Sequence, residues 1–275
     1  MTPVHPIRAA VFDIDGTLAL MDKDKGSYAA LPGAADSINQ LTARGKPVVA
    51  YTNGTFFAPE HYYVPLAAAG LHLQPGHILT PATVAARQLA KLGHKRVMLI
   101  GAEGTRIPLQ QAGIEIVEAA AGAPPVEAVL LAWTKDFDSS QLEAAALAIW
   151  GGAKLFATSV APYFAGAKGK LMGVSGAMAA AINNATGAKA TVFGKPSTGG
   201  LEIVSEIVGV PIQNMVVIGD DPKLEIAMAR NGGAFAVGVT SGVADRAAFE
   251  AASPELRAHL VVPDLRNLAS QPWIR

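Results

Sequence analysis

The stretch VFDIDGTLAL, residues 11 to 20, decides the fold. It begins as an apolar run and then places Asp13 and Asp15 one residue apart, directly before Gly16. Side chains of a strand alternate between faces and two residues span about 6.6 Å, so both carboxylates can contact one ligand just beyond the strand end. Two carboxylates this close repel each other unless a cation or a shared proton lies between them. The stretch therefore predicts a buried strand that ends at a charged site.

Short β-branched runs alternate with helical patterns along the chain, which is typical of an α/β fold. The predicted strands are AAVFDID, PVVAYTN, RVMLIGAEG, AVLLAW, KLFATS, TVFGKP, MVVIGDD and AFAVGVT. Several are apolar without alternation, as expected of strands buried on both faces of a parallel sheet. Apolar residues at helical spacing, closing near a glycine, predict helices in PGAADSINQLTARG, ATVAARQLAKLG, SSQLEAAALAIWGG and TGGLEIVSEIVGV.

Composition narrows the functional classes. A chain of 275 residues lies near the size at which a second domain usually appears. Lys plus Arg and Asp plus Glu number 22 each, so no net basic charge favours nucleic acid or an anionic membrane. The absence of cysteine excludes disulfides, thiolate metal sites and a cysteine nucleophile, and it fits a reducing cytoplasm. We predict a cytoplasmic protein without signal peptide or membrane anchor, and with a small molecule as its partner.

Three further predicted strands end in polar residues. Thr52 and Asn53 follow VVAY, Lys195 lies in FGKPS, and Asp220 and Asp221 follow VVIG. Taken singly, a helix cap or an exposed turn explains each of them. FGKPS is not a Walker loop, because proline stands where Ser or Thr must follow the lysine. Ligands of open parallel sheets bind at the carboxyl ends of the strands, so chemistry is expected where these ends meet.

In chain order, the ends DxDGT, TN, GKP and GDD resemble the four motifs of the haloacid dehalogenase (HAD) superfamily, the aspartate-nucleophile phosphohydrolases. LPGAADSINQL, YTNGT, DSSQLEAAALAIWGGAKLFATS and AINNATGAKATVFGKPS further resemble its class IIA, NagD-like or para-nitrophenyl phosphatase-like branch. The resemblance covers nearly the whole chain. It implies a Rossmann-like parallel sheet core with an α/β cap inserted between the second and third motifs. We therefore predict core at residues 1–78, cap at 79–187 and core again at 188–275.

The resemblance also implies a phosphatase that uses Mg²⁺ to hydrolyse small phosphorylated metabolites. In such an enzyme Asp13 attacks phosphorus and becomes an aspartyl phosphate, while Asp15 acts as general acid and then general base. Thr52 and Lys195 hold the phosphoryl oxygens. The implied metal ligands are Asp13, the backbone carbonyl of Asp15, and Asp220, an all-oxygen set that suits Mg²⁺.

Four residues are predicted to bind phosphate or substrate. Asn53, mainly through its backbone, and Gly54 are assigned to the phosphate. Tyr163 and Lys168 lie in FATSVAPYFAGAKGKLMG, which the resemblance places near the junction of cap and core. Tyr163 offers a stacking surface in an aromatic-poor chain, and Lys168 could meet a second anionic group, although a solvated loop lysine is the simpler interpretation.

Some positions depart from the family pattern. Glu225 stands where the branch usually has Asp, so we place it outside the metal ligands. In the cap, AWTKDF and ATSVAPYF replace the usual stretches, and the substrate is therefore not predicted. Trp133 and Lys135, both in AWTKDF, are the next candidates for substrate contact.

Three other functions stay open. A serine hydrolase would use GVSGA at 173 to 177, although Ala177 stands where a nucleophile elbow has glycine. A dinucleotide-binding protein would use GAEGTR at 101 to 106, although its third glycine is missing. A catalytically weak family member could bind phosphorylated metabolites for regulation, but such a protein has no need of the acid Asp15. The oligomeric state is not predicted, and a homodimer is allowed.

Overall fold

The computed structural model describes residues 3–22, 26–166, 169–268 and 271–273. Its strands are β1 (Ala9–Phe12), β2 (Ala19–Asp22), β3 (Ser27–Ala30), β4 (Val48–Tyr51), β5 (Ile78–Leu79), β6 (Arg96–Ile100), β7 (Glu115–Glu118), β8 (Ala128–Leu131), β9 (Lys154–Ala157), β10 (Tyr163–Gly166), β11 (Gly169–Met172), β12 (Thr191–Val192), β13 (Met215–Gly219), β14 (Phe235–Val239) and β15 (Leu260–Val262). Its helices are α1 (Ala34–Ala43), α2 (Glu60–Ala68), α3 (Pro81–Lys91), α4 (Glu103–Gln111), α5 (Ser139–Trp150), α6 (Val174–Thr186), α7 (Gly199–Val208), α8 (Ala227–Gly232) and α9 (Arg246–Glu250). The runs predicted as strands all form strands, and the four stretches predicted as helices form α1, α3, α5 and α7. None of the helices within the described ranges is both long enough and apolar enough to cross a bilayer.

The first sheet brings three of the four polar strand ends together. It has six strands in the order β15-β14-β13-β1-β4-β5, all paired in parallel. Phe12, the last residue of β1, pairs with Ile218 on one side and with Ala50 on the other. The segments that carry Asp13, Thr52 and Asp220 therefore leave neighbouring strands at the same edge of the sheet, and the prediction of a parallel α/β core is confirmed.

Both faces of β1 are buried, as its unbroken apolar run predicted. Ala9 and Val11 pack into the core on one side of the sheet, and Ala10 and Phe12 pack into the core on the other. Within a strand that is buried on both faces, a polar side chain would displace apolar contacts. Polar side chains therefore fit best at the end of the strand. The charged site consequently lies at the edge of the sheet, directly after Phe12.

A second parallel sheet forms the inserted cap, with strands in the order β12-β9-β8-β6-β7. The chain leaves the first sheet after β5, which ends at Leu79. It returns later than predicted, because Thr191 and Val192 of β12 pair with Phe156 and Ala157 of β9. By sheet membership the return lies after Val192 rather than between residues 187 and 188, because this two-residue edge strand extends the cap sheet. We propose core at 1–79, cap at 80–192 and core again at 193–275.

Two antiparallel hairpins complete the surroundings of the sheet edge. The pair β2 and β3 belongs to the core and follows the Asp13 turn, whereas β10 and β11 belong to the cap. Strand β10 contacts β2, so the two hairpins meet. Met21 and Tyr28 of the core hairpin and Tyr163 of the cap hairpin line one cavity with Asp13.

Candidate active site

The turn after β1 leaves room for the carboxylate of Asp220. The N–H of Asp13 donates to the carbonyl of Ile218 at 2.9 Å, which holds Asp13 at the end of the sheet, where its side chain is buried. Gly16 then adopts a φ of +100°, in the region that favours glycine. A Cβ on Gly16 would lie 2.4 Å from Oδ2 of Asp220. The glycine that follows the two aspartates thus lets the Asp220 carboxylate approach the turn.

Lys195 is held by acceptors on three sides. Its buried Nζ donates to Oδ1 of Asp13, to Oε1 of Glu225 at 2.6 Å and to the carbonyl of Tyr51 at 2.9 Å. An ammonium has three N–H donors, and all three are engaged here. Oε2 of Glu225 accepts from the N–H of Asp221 at 3.1 Å, so this carboxylate is fixed at both oxygens. The structure therefore gives Glu225 a contact with Lys195 that the sequence did not predict.

Asn53 fastens the backbone of Lys195 rather than pointing its side chain at a phosphate position. Its Oδ1 accepts from the N–H of Lys195 at 2.9 Å, and its Nδ2 donates to the Lys195 carbonyl at 3.0 Å. One residue earlier, the N–H of Gly194 donates to the carbonyl of Thr158 in the cap at 2.9 Å. The lysine loop is thus held between core and cap, and the predicted contact of Asn53 with phosphate can use only its backbone in this arrangement.

Thr52, Gly54 and Asp15 form a short chain of hydrogen bonds. The Thr52 hydroxyl donates to Oδ2 of Asp15 at 3.4 Å and accepts from the N–H of Gly54 at 2.9 Å. The side chain of Asp15 is half-buried, unlike that of Asp13. Thr52 and Gly54, both predicted to bind phosphate, therefore lie beside the proposed acid, and their contact with phosphate stays a prediction.

Burial and charge shift the pKa values in this cluster. Burial raises the pKa of Asp13 well above its ordinary value, with Lys195 opposing the shift. Burial and the Glu225 carboxylate raise the pKa of Asp220 to about 7, although the Val243 N–H opposes the shift with a hydrogen bond to Oδ2 at 2.7 Å. Burial alone would lower the pKa of Lys195, but Asp13 and Glu225 outweigh it and raise the pKa. Three buried carboxylates thus face a single buried ammonium.

That charge imbalance fits a divalent cation. Isolated charges are expensive to bury, so the excess of carboxylates over cations needs a compensating positive charge. Asp13, Asp220 and the backbone carbonyl of Asp15 offer only oxygen, the donor type that Mg²⁺ prefers. In the part of the chain that the structure describes, no three or more His, Cys, Asp and Glu side chains are grouped as metal ligands, and the predicted set needs only two side chains. The residues present therefore fit a hard divalent ion.

A cavity of about 100 Å³ opens beside these groups at the junction of core and cap. Tyr163 and Trp133 line it from the cap, whereas Lys135 is not among the lining residues, and Lys168 lies outside the described residues. The predicted contact of Lys168 with substrate therefore stays a prediction. Three further aromatic residues of the lining were not predicted from the sequence: Tyr28, Phe56 and Tyr62. The pair FF directly after TNGT was an available signal for Phe56 in a chain with only 6% aromatic residues.

Two alternatives lose their structural basis. The Ser175 hydroxyl of GVSGA donates to the carbonyl of Ser159 at 2.8 Å, and no histidine is among the described residues that line the cavity. A serine nucleophile would need a base within hydrogen-bonding distance. The segment GAEGTR forms the turn after β6 and the first residues of α4 in the cap. A Cβ on Gly101 would lie 2.9 Å from the Cβ of Ala132, and one on Gly104 would lie 2.3 Å from the carbonyl oxygen of Thr55, which accounts for both glycines without a dinucleotide.

Comparison with known proteins supports the family. Models of "Haloacid dehalogenase-like hydrolase" and of the HAD-hydrolase-like family match residues 10–115 and 192–268. Dihydroxyacetone phosphatase from Corynebacterium glutamicum is 27% identical over 219 residues, which is 79% of this chain and 77% of that protein.

Solved structures give the same result. Glycerol phosphate phosphatase from Mycobacterium tuberculosis, in complex with magnesium, superposes with a TM-score of 0.84 at 26% identity, covering 96% of this chain and 76% of that one. NagD from Escherichia coli shares the fold with a TM-score of 0.82 at 23% identity, covering 95% and 98%. With its four motifs gathered at the sheet edges, the chain belongs to the haloacid dehalogenase-like hydrolases, as the order of those motifs predicted.

Proposed function

We propose that this chain is an Mg²⁺-dependent phosphatase that hydrolyses small phosphomonoesters through an aspartyl phosphate on Asp13. One observation carries the proposal above all. A buried carboxylate at the end of the central strand is hydrogen-bonded to a buried lysine, with a half-buried second carboxylate two residues on. A nucleophile and a separate acid are the two groups that a two-step phosphoryl transfer needs.

Asp13 is the proposed nucleophile. One of its carboxylate oxygens forms a bond to phosphorus while the bond from phosphorus to the ester oxygen breaks, which gives an acyl phosphate and the alcohol. The hydrogen bond from Lys195 fixes the orientation of the carboxylate before the attack. Such preorganisation lowers the barrier because the reacting group needs no rearrangement. Glu225 supports this role by holding the other side of the ammonium.

Asp15 is the proposed acid and base. It donates a proton to the departing ester oxygen in the first step. In the second step it accepts a proton from the water that attacks phosphorus, while the bond from phosphorus to Asp13 breaks, which restores both carboxyl groups and releases inorganic phosphate. General acid and base catalysis of this kind typically contributes about 10²- to 10⁴-fold in rate. The hydrogen bond from the Thr52 hydroxyl to Oδ2 of Asp15 supports the role, because it fixes the carboxylate next to the nucleophile.

Asp13, the Asp15 carbonyl and Asp220 would hold the Mg²⁺ ion. When bound, the ion supplies positive charge that offsets repulsion between the phosphate and the carboxylates. Lys195 and Thr52 would then hold the phosphoryl oxygens, together with the backbone amides of Asn53 and Gly54. Since the three protons of Lys195 are already engaged, a contact with phosphate requires that one of its present partners be exchanged.

Turnover of para-nitrophenyl phosphate with and without Mg²⁺ tests the proposal. We expect hydrolysis that EDTA abolishes and added Mg²⁺ restores. Activity insensitive to EDTA would contradict the metal role. Binding of phosphorylated metabolites without hydrolysis of any would instead support a regulatory binding protein.

A further inference from the structure

The cavity has chemically different walls. The core wall carries the carboxylates and Lys195, whereas the described residues of the cap wall are all neutral and include Trp133, Tyr163 and Val174. Since the proposed chemistry fixes the phosphate at the core wall, the leaving group of the ester must face the cap. The cap wall therefore decides which alcohols are accepted.

The charges of this cavity disfavour a second anionic group. Among the described residues of the lining, Lys195 is the only cation. The acidic residues of the lining are five: Asp13, Asp15, Asp220, Asp221 and Glu225. With Asp15 protonated for its role as the acid, four carboxylates remain. One divalent ion and Lys195 offset three of their charges, and the phosphate then adds further negative charge. Within the described part of the lining, a carboxylate or second phosphate on the leaving group would lose its hydration and meet no cation other than Lys195, which is costly.

The cap wall offers an aromatic surface instead. The ring centroids of Trp133 and Phe56 lie 4.5 Å apart at an angle of 61°, an edge-to-face contact between cap and core. The backbone N–H of Trp133 donates to the Thr55 hydroxyl at 3.3 Å, which connects this part of the cap to the loop after Thr52. Both rings line the cavity. An aromatic surface held in this way binds a flat or apolar face with little loss of side-chain entropy.

The volume of the cavity limits the leaving group further. About 100 Å³ is well below the roughly 300–1,000 Å³ of pockets that take drug-sized ligands. A phosphate and a leaving group of a few carbon atoms, or a single ring, are the sizes that this space suggests.

We propose that the substrates are phosphomonoesters of small, uncharged alcohols or phenols with an apolar or aromatic face, and that a second anionic group on the leaving group is selected against. The proposal rests on the proposed phosphatase function. Selection arises from repulsion and from a missing partner as much as from favourable contacts. The prediction that Lys168 meets a second anionic group is a competing one, because Lys168 lies outside the described residues, and the substrate pairs below decide between the two.

Matched substrate pairs test the proposal. In each pair one member carries a carboxylate and the other a neutral group of similar size: 4-carboxyphenyl against 4-carbamoylphenyl phosphate, and phosphoglycolate against 2-hydroxyethyl phosphate. We expect kcat/KM at least tenfold higher for the neutral member of both pairs. Equal or reversed values in either pair would overturn the substrate class while leaving the phosphatase function intact. Absence of turnover of all four esters and of para-nitrophenyl phosphate would overturn both.

Variants of Tyr163 test whether charge at the cap wall is the cause. Tyr163 is 45% exposed, so its replacement is compatible with folding, which thermal unfolding can verify. Tyr163→Lys adds the missing cation and should raise kcat/KM for the carboxylated member relative to the neutral one at least fivefold. The matched control, Tyr163→Gln, changes the side chain without adding charge and should leave the ratio near that of the unaltered protein. Equal ratios for the two variants would contradict the proposal.

A second set of variants tests the aromatic surface. Trp133→Ala should raise KM for the aryl phosphates several-fold and for 2-hydroxyethyl phosphate much less, whereas Trp133→Phe should retain most of the aryl preference. Equal effects of Trp133→Ala on aryl and alkyl esters would show that the ring is structural and would overturn its assignment to the leaving group.

Discussion

Replacing Glu225 with glutamine removes one of the two carboxylates that hold the Lys195 ammonium. The amide keeps an oxygen that can accept from Lys195, so on that side the loss is the difference between a charged and a neutral acceptor. Its NH2 group cannot accept from the N–H of Asp221, so that hydrogen bond is lost as well. Hydrogen bonds to charged groups contribute about 1.5–3 kcal/mol, and we place the bond between two ionised groups near the upper end and the bond from the ammonium to a neutral amide oxygen near the lower end. If the difference of about 1–2 kcal/mol appears in the transition state, kcat should fall about 5- to 30-fold.

Steady-state hydrolysis of para-nitrophenyl phosphate over a titration of Mg²⁺ measures this effect. We expect a lower kcat with little change in the Mg²⁺ concentration that gives half-maximal rate, because Glu225 contacts Lys195 and the N–H of Asp221. Glu225→Asp serves as the control, since it keeps the charge and shortens the side chain by one methylene. Because charge is retained, its loss of kcat should be smaller than that of Glu225→Gln.

Two results would refute this reasoning. A kcat of Glu225→Gln within twofold of the unaltered protein would show that the contact with Lys195 does not matter for the reaction. A shift in the Mg²⁺ requirement as large as that of Asp220→Ala would show that Glu225 acts on the metal instead. Thermal unfolding of each variant separates both results from simple loss of the fold.

The remaining predictions concern the acid, the metal and the junction of cap and core. Asp15→Asn should slow an alkyl phosphate more than an activated aryl phosphate, because only the poorer leaving group needs a proton; equal losses would argue against the acid role. Asp220→Ala should raise the Mg²⁺ concentration needed for half-maximal rate strongly, and Ca²⁺ should inhibit because its looser coordination misplaces the nucleophile. Gly104→Ala would place a Cβ 2.3 Å from the carbonyl oxygen of Thr55. This variant should therefore lower the free energy of unfolding by about 1–3 kcal/mol or reduce kcat/KM. The control Gly151→Ala, at a helix end, should do neither.

The elements of the fold, and the polar residues at their ends, could be predicted from the sequence. The unbroken apolar runs before Asp13, Thr52 and Asp220 were sufficient to predict buried parallel strands, and the rule for ligand sites in such sheets predicted that their ends meet. The structure places β4, β1 and β13 side by side. This agreement has a physical basis, since a strand that is buried on both faces has an unbroken apolar sequence.

Contacts between distant residues could not be predicted in the same way. The hydrogen bonds between Asn53 and Lys195 join residues 142 positions apart, and nothing in the local pattern distinguishes them from a helix cap. The pairing of Thr191 and Val192 with the cap sheet was missed for a similar reason. A two-residue strand has too few side chains to indicate which sheet it joins.

The nature of the cavity wall was also beyond sequence reasoning. Tyr28, Phe56 and Tyr62 come from three separate segments, and only the tertiary fold brings them to one cavity. Tyr28 and Phe56 are partly buried and Tyr62 is buried, and each of them alone is an ordinary aromatic residue. Their common position, not their identity, suggests an uncharged leaving group.

Intact-protein mass spectrometry of an acid-quenched reaction tests the central claim most directly. With para-nitrophenyl phosphate and Mg²⁺ present, the account predicts a species heavier by one phosphoryl group, with the modification mapped to the peptide that contains Asp13. Asp13→Asn should lose both this species and turnover while unfolding at a similar temperature, since the amide is nearly isosteric but a very poor nucleophile. A phosphoryl group on any other residue would contradict the account. So would turnover of Asp13→Asn above about a hundredth of the unaltered rate, which corresponds to a rise in activation free energy of less than roughly 3 kcal/mol.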